Sequence, residues 1–283
     1  MQRLAVLFIA VLVLVGCSNR LGYRFADTFI EWKLADYVSL SGQLSADVSS
    51  SIDELHLWHA QTQLPIYREQ LAELRQLIIS DELTEADMYR YSDIMSGWWE
   101  TLRTQIEPYA LHYLPQLSMA QRQQIINKIQ SDIDDRQKNM TATEFSEVLK
   151  RSHKNMEKSL NGWVGRLEPG QLRYLRRWLE QRQDVRLMWL DYQQLWLNEF
   201  TLVMMQDNSE QVQQRLSALI LKPEQMRPEL LQQSLDSGRE ATMIMIYSLY
   251  QSLTPKQKHR LVRTLDGYLG DLDSLIERYA SAP

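Results

Sequence analysis

Residues Thr254–Tyr279 read TPKQKHRLVRTLDGYLGDLDSLIERY, with apolar side chains at Leu261, Leu265, Tyr268, Leu272, Leu275 and Tyr279. The steps are four, three, four, three and four, the seam of a helix packed along one face. Pro255 sits where a first helical turn needs no backbone N–H, directly after Thr254. A strand would require alternation in steps of two, and no useful run of that kind occurs anywhere in the chain.

The same reading extends toward the N-terminus. Helices are expected over 23–38, 44–79 with an interruption at Pro65, 83–109, 118–139, 141–166, 169–205, 209–221 and 228–252. In the third of these, Met88, Tyr91, Met95, Trp98 and Leu102 share one face, and Pro108 and Pro115 are expected to bracket the turn that ends it. The 169–205 stretch reads as one long helix carrying Trp178, Trp189 and Trp196. The expected fold is therefore all-α, a multi-helix bundle or array of eight to nine helices, with 23–283 forming a single domain because no Gly/Ser/Pro-rich linker divides it.

Composition agrees. Glycine (10) and proline (8) are scarce in 283 residues, and 44% hydrophobic content can support a core. The net charge is −5, which argues against nucleic acid as a partner, since phosphate binding needs a basic face. With a single cysteine, Cys17, no internal disulfide can form.

The position of that cysteine matters. Arg3 precedes an unbroken apolar run from Leu4 to Val15, about the length of a secretion signal core and short of the ~20 residues that span a bilayer. The run ends in Leu14–Val15–Gly16–Cys17. This resembles the bacterial lipobox, and the resemblance implies lipid on the Cys17 sulfur and cleavage after Gly16. The expectation is a signal peptide over 1–16, a lipidated tether over 17–22, and no cofactor other than the covalent lipid. Ser18, rather than Asp, resembles the outer-membrane sorting pattern of enterobacterial lipoproteins, so the periplasmic face of the outer membrane is expected in preference to the inner membrane. The aromatic segment 23–38 is expected to pack on the bundle. The alternative is a helix lying on the lipid surface through Phe29 and Trp32.

A short motif recurs: Leu117–Gln121 (LSMAQ), Leu167–Gln171 (LEPGQ) and Leu253–Gln257 (LTPKQ), with Leu83–Asp87 (LTEAD) as a weaker copy. Ser118 or Thr254 can cap the first free amides of a helix while the glutamine bonds back to the cap. Capping explains every residue of the motif except the leucine. The pattern also resembles, locally, the LTxxQ helix starts of Spy- and CpxP-type periplasmic chaperones.

Chemical motifs are sparse. His56 and His59 stand three apart, one helix face, and are weak candidates for a two-ligand metal site. His112, His153 and His259 are isolated. Asp132, Asp134 and Asp135 read as a solvated helix face. No G-x-S-x-G, H-E-x-x-H, phosphate loop or cysteine nucleophile is present, so no catalytic or metal-ligating residue is assigned. Of Trp98 and Trp99, about 100° apart around a helix, one is expected in the core and one near the surface.

The whole mature chain resembles an uncharacterised family of proteobacterial lipoproteins. The resemblance rests on Leu21–Gly22–Tyr23 with Asp27, Trp32, Asp36 and Tyr37, on Trp58–Pro65 (WHAQTQLP), on Trp163–Leu167 (WVGRL) and on Leu253–Thr254–Pro255. Glu168 departs from it where a Ser or Thr cap would stand. The resemblance implies an all-helical periplasmic lipoprotein and no activity. The expectation is a non-enzymatic binding or scaffold protein, held to the membrane by lipid and engaging a protein or envelope partner, with Trp58, His59 and Gln61 as interaction candidates. A chaperone-like holdase or an envelope hydrolase are the alternatives.

Overall fold

A computed structural model describes residues 19–207 and 209–280. The expected signal peptide, Gly16, Cys17 and Ser18 lie outside the described residues. Those described are helical with connecting turns, and no strand occurs among them.

They fall into two compact units, one taking in the chain up to Glu82 together with Val262 onward, the other Leu83–Leu261. The first contains α1 (Asn19–Arg24), α2 (Ala26–Ala35), α3 (Gly42–Trp58), a π-helical turn (His59–Gln63) and α4 (Leu64–Ile79). The second contains α5 (Glu85–Tyr113), α6 (Met119–Thr141), α7 (Phe145–Val164), α8 (Leu172–Glu180), α9 (Arg186–Met204), α10 (Glu210–Leu221) and α11 (Glu229–Gln251). Helix α12 (Pro255–Ala280) gives its first turns to the second unit and the remainder to the first.

There are more separate helices than the eight to nine expected, because two expected helices are each broken. Residues 23–38 divide at Phe25, whose backbone leaves the helical region. Residues 169–205 divide between α8 and α9, where no glycine or proline signals it. There Asp184, one residue before the N-cap Val185, accepts from the Arg186 backbone N–H at 3.2 Å and holds the Arg186 guanidinium at 2.6 Å.

Prolines behave differently from expectation at two places. At Pro65 the rod continues, and the five-residue π turn immediately before it absorbs the ring that would clash with the carbonyl four residues back. Helix α5 also runs straight through Pro108, which lies on the exposed side where water can meet the carbonyl left without a partner. The helix ends instead before Pro115, in a 3₁₀ turn over Leu114–Gln116. On α5, Leu102 is buried but Met95 is 51% exposed, so that stripe is only partly a core face. Trp98 and Trp99 are both half-buried rather than divided between core and surface.

In the first unit, α4 and α12 run antiparallel, stitched by Arg68–Asp273 (2.9 Å) and Arg75–Asp266. Leu64, Tyr67, Ile78, Leu265, Leu269 and Leu275 are buried there. In the second unit, Leu175, Trp178 and Met245 form a core cluster with Met156 and Leu160 of α7 against it. Helices α6 and α9 pack together, and Gln130 and Gln194 exchange amide hydrogen bonds at 3.1 Å. A guanidinium that the sequence did not single out, that of Arg122, donates to the carbonyls of Pro115, Leu117, Met204 and Gln206, tying the start of α6 to the end of α9.

Candidate functional site

The first unit encloses a cluster of rings. Tyr23 at the end of α1, His56 on α3, His59 at the π turn, Tyr67 on α4 and Tyr279 near the end of α12 meet there. The π turn widens the helix at His59, Ala60 and Gln63, and all three are buried. His56 and His59 do share one side, as the spacing predicts, but their surroundings are phenols.

His59 has both ring nitrogens engaged. Nδ1 is 2.8 Å from Tyr23 Oη and Nε2 is 3.3 Å from Tyr67 Oη. A neutral imidazole has one donor and one acceptor nitrogen, so one phenol donates to the ring and the other accepts. Burial, and secondarily His56, lowers the His59 pKa to about 4. Burial raises the Tyr67 hydroxyl to about 12 and pushes Tyr23 up as well, with Tyr279 and Tyr67 adding to the effect on Tyr23. His59 and the phenols of Tyr23 and Tyr67 are therefore held neutral. A general base works best with a pKa near the working pH and a nitrogen free to take the proton, and His59 has neither.

His56 is arranged differently. Its Nδ1 lies 3.4 Å from Asp27 Oδ2, while its Nε2 is buried with no hydrogen-bond partner. The carboxylate favours a proton on Nδ1. Among the described residues no group of three or more His, Cys, Asp or Glu is placed to hold a metal. The acidic run on α6 consists of separate helix-face pairs: Lys128–Asp132 (2.5 Å), Gln130 to Asp134 (2.9 Å) and Lys138–Asp135 (3.5 Å).

Of the interaction candidates, Trp58 is half-buried, His59 is buried, and Gln61 is exposed with its amide donating to the Tyr279 carbonyl at 3.1 Å. The Trp58 and His59 rings meet edge-on with centroids 6.2 Å apart, and Gln61 lies at the surface beside Tyr279. Tyr23, Tyr67 and Tyr279, which build the cluster, carry no motif that marks them: Tyr23 lies 36 residues before His59 and Tyr279 near the far end of the chain, and Tyr67, eight residues after His59, reads as an ordinary helix-face aromatic.

The second unit joins two copies of the recurring motif. Gln171 and Gln257 exchange side-chain amide bonds at 2.8 and 2.9 Å. Each also bonds back to its own helix start, from Glu168 N–H (2.9 Å) and Thr254 N–H (3.0 Å), and donates to a carbonyl across the pair, Ser252 and Arg166. The capping boxes at Thr84 and Ser118 are formed in full. Leu83, Leu117, Leu167 and Leu253, the residues capping leaves unexplained, are all buried.

Both polar clusters, the rings around His59 and the Gln171–Gln257 pair, thus face inward among the described helices. The chain belongs to DUF6279, a family of unknown function, which matches residues 36–231. That stretch includes His56, His59 and three copies of the motif, and leaves out Cys17 and Leu253–Gln257. No curated protein and no solved structure matches the chain.

Proposed function

We propose that this chain is a bacterial envelope lipoprotein, anchored through acyl chains on Cys17, with its helical units on the periplasmic face of the outer membrane and a non-enzymatic role in binding a protein or envelope component. The observation that carries the reading is the position of the only cysteine, directly after a small residue that closes a twelve-residue apolar run. Each acyl CH₂ buried in lipid contributes about 0.8 kcal/mol, so several chains on one residue hold a protein firmly. No helix among the described residues is long and apolar enough to cross a membrane, which fits attachment by lipid. The neutral, hydrogen-bonded state of His59 supports a structural rather than a catalytic use of the ring cluster.

The test is mass spectrometry of the chain expressed from its own first residue in a Gram-negative host. A mature N-terminus at Cys17 bearing diacylglycerol is expected, in the outer-membrane fraction. An unmodified thiol, or retention of residues 1–16, overturns the proposal. A detergent pull-down then reads the binding role, and a lipoprotein that comes out alone under several conditions counts against it.

A further inference from the structure

Helix α2 has two unlike faces. On one, Ala26 is buried, the Glu31 carboxylate accepts from Ser49 of α3, and Asp27 faces His56. On the other, Thr28, Trp32 and Ala35 are exposed and uncharged, with Phe25 exposed at the N-cap of the helix; the exposed Asp36 at its C-cap is paired with Lys33 at 3.1 Å. Phe25 is 58% and Trp32 59% exposed. The other seven tryptophans are buried or half-buried, so Trp32 stands apart in this chain. The ring is left open although Phe29 beside it, 5.8 Å away, is half-buried.

Location says what covers this face. Phe25 stands eight residues after Cys17, and six of the intervening residues form α1. A helix rises only about 1.5 Å per residue, so Phe25 lies within roughly 20 Å of the Cys17 sulfur. Residues 17–37 carry three basic and three acidic side chains, so the segment is neutral in a chain of net charge −5. Lys33 Nζ sits 4.3 Å over the Trp32 ring, an amine beside an aromatic plane, the pairing suited to a membrane–water boundary.

We infer that the Phe25–Trp32 face of α2 lies in the interface of the phospholipid bilayer. It gives the protein a second, apolar contact beside the lipid on Cys17. The inference rests on the lipoprotein reading for its placement at a membrane. A neutral segment with two exposed rings binds by apolar burial, so zwitterionic lipid is enough. Once the acyl chains hold the protein at the surface, this second contact is local and cheap, and the two together hold longer than the anchor alone. The face fixes which side of the first unit looks at the membrane.

The experiment uses the full mature protein, its acyl mass determined first, on phosphatidylcholine vesicles containing brominated phosphatidylcholine. Bromine quenches tryptophans within the bilayer interface. Quenching of the parent, falling by at least about half in Trp32→Phe, is expected. Phe25→Ser/Trp32→Ser, with unchanged circular dichroism, should exchange between vesicles about tenfold faster. Both positions are exposed, so the fold tolerates these changes. An acylated protein whose quenching is the same with and without Trp32 overturns the face and leaves the anchor standing. An unacylated product that still shows Trp32-dependent quenching supports the face and overturns only the anchor. Trp32-dependent dimerisation without quenching assigns the face to a second copy and overturns the inference.

Discussion

Gln171 and Gln257 stand 86 residues apart in sequence and hold each other by two amide hydrogen bonds, at 2.8 and 2.9 Å, between nearly buried side chains. Each glutamine opens a helix and also reaches a carbonyl beyond its partner, Ser252 for Gln171 and Arg166 for Gln257. A motif that in isolation would only start a helix here joins two helix starts. Gln171→Ala should therefore destabilise the second unit by about 2 kcal/mol, because it strands a buried amide and the Ser252 carbonyl. Gln171→Leu/Gln257→Leu should cost less than the two single changes together, since the double change leaves neither amide without its partner. Urea midpoints by tryptophan fluorescence check both, and strict additivity would refute the coupling.

The buried leucine of the motif outweighs its cap. Ser118 accepts from the Gln121 N–H at the surface, whereas Leu117 is 7% exposed. Ser118→Ala should cost about 1 kcal/mol, the usual value of an N-cap, and Leu117→Ala about 3 kcal/mol. Equal costs in thermal denaturation would mean that capping alone explains the motif.

Helical periodicity was enough to read the all-α class, since Leu265 and Leu275 are buried on the face that the steps of three and four define. Breaks between helices were less legible. The one ahead of α9 carries no glycine, proline or side-chain cap, only the Asp184–Arg186 contact beside it, and the passage through Pro65 goes with a π turn that no local propensity announces. For the ring cluster, the spacing of His56 and His59 correctly placed both on one side, but their phenolic partners come from elsewhere in the chain. Glu168 looked like a defect in the motif. The Gln171 Oε1 accepts its backbone N–H all the same, so the side chain at that position is not needed for the contact.

His59 makes the first unit acid-sensitive. Its folded pKa, about 4, lies below the ordinary histidine value of 6.5, so between those values the unfolded chain binds more protons than the folded one. The stabilisation is present in full above pH 6.5 and is lost as pH falls toward 4. At pH 5 the loss should be roughly 2 kcal/mol relative to pH 7. His59→Gln should be less stable at pH 7, having disturbed Tyr23 and Tyr67, and should show a shallower fall between pH 7 and pH 5. Urea unfolding at the two pH values measures this, and an unchanged slope in the variant would place the acid sensitivity elsewhere.

Gly165 closes α7 with φ +84° and ψ −172°, a backbone region essentially reserved for glycine, while its N–H donates to Asn161 O at 3.0 Å. The Asn161 side chain then accepts from Leu167 N–H at 3.0 Å, which turns the chain into the Gln171 motif. A Cβ at Gly165 would stand 3.1 Å from the Arg260 Cδ, a contact relieved if that side chain gives by a few tenths of an ångström. The cost of Gly165→Ala should therefore be about 2 kcal/mol and should come from the backbone. Adding Arg260→Ala should recover little of it, and recovery of most of the loss would show that the cause is the side-chain contact. Gly162, three residues earlier in the same helix, has nothing within 4 Å of the corresponding position and an ordinary helical setting. Gly162→Ala should instead raise stability by up to about 1 kcal/mol, so the two substitutions, identical in chemistry, should move the thermal midpoint in opposite directions.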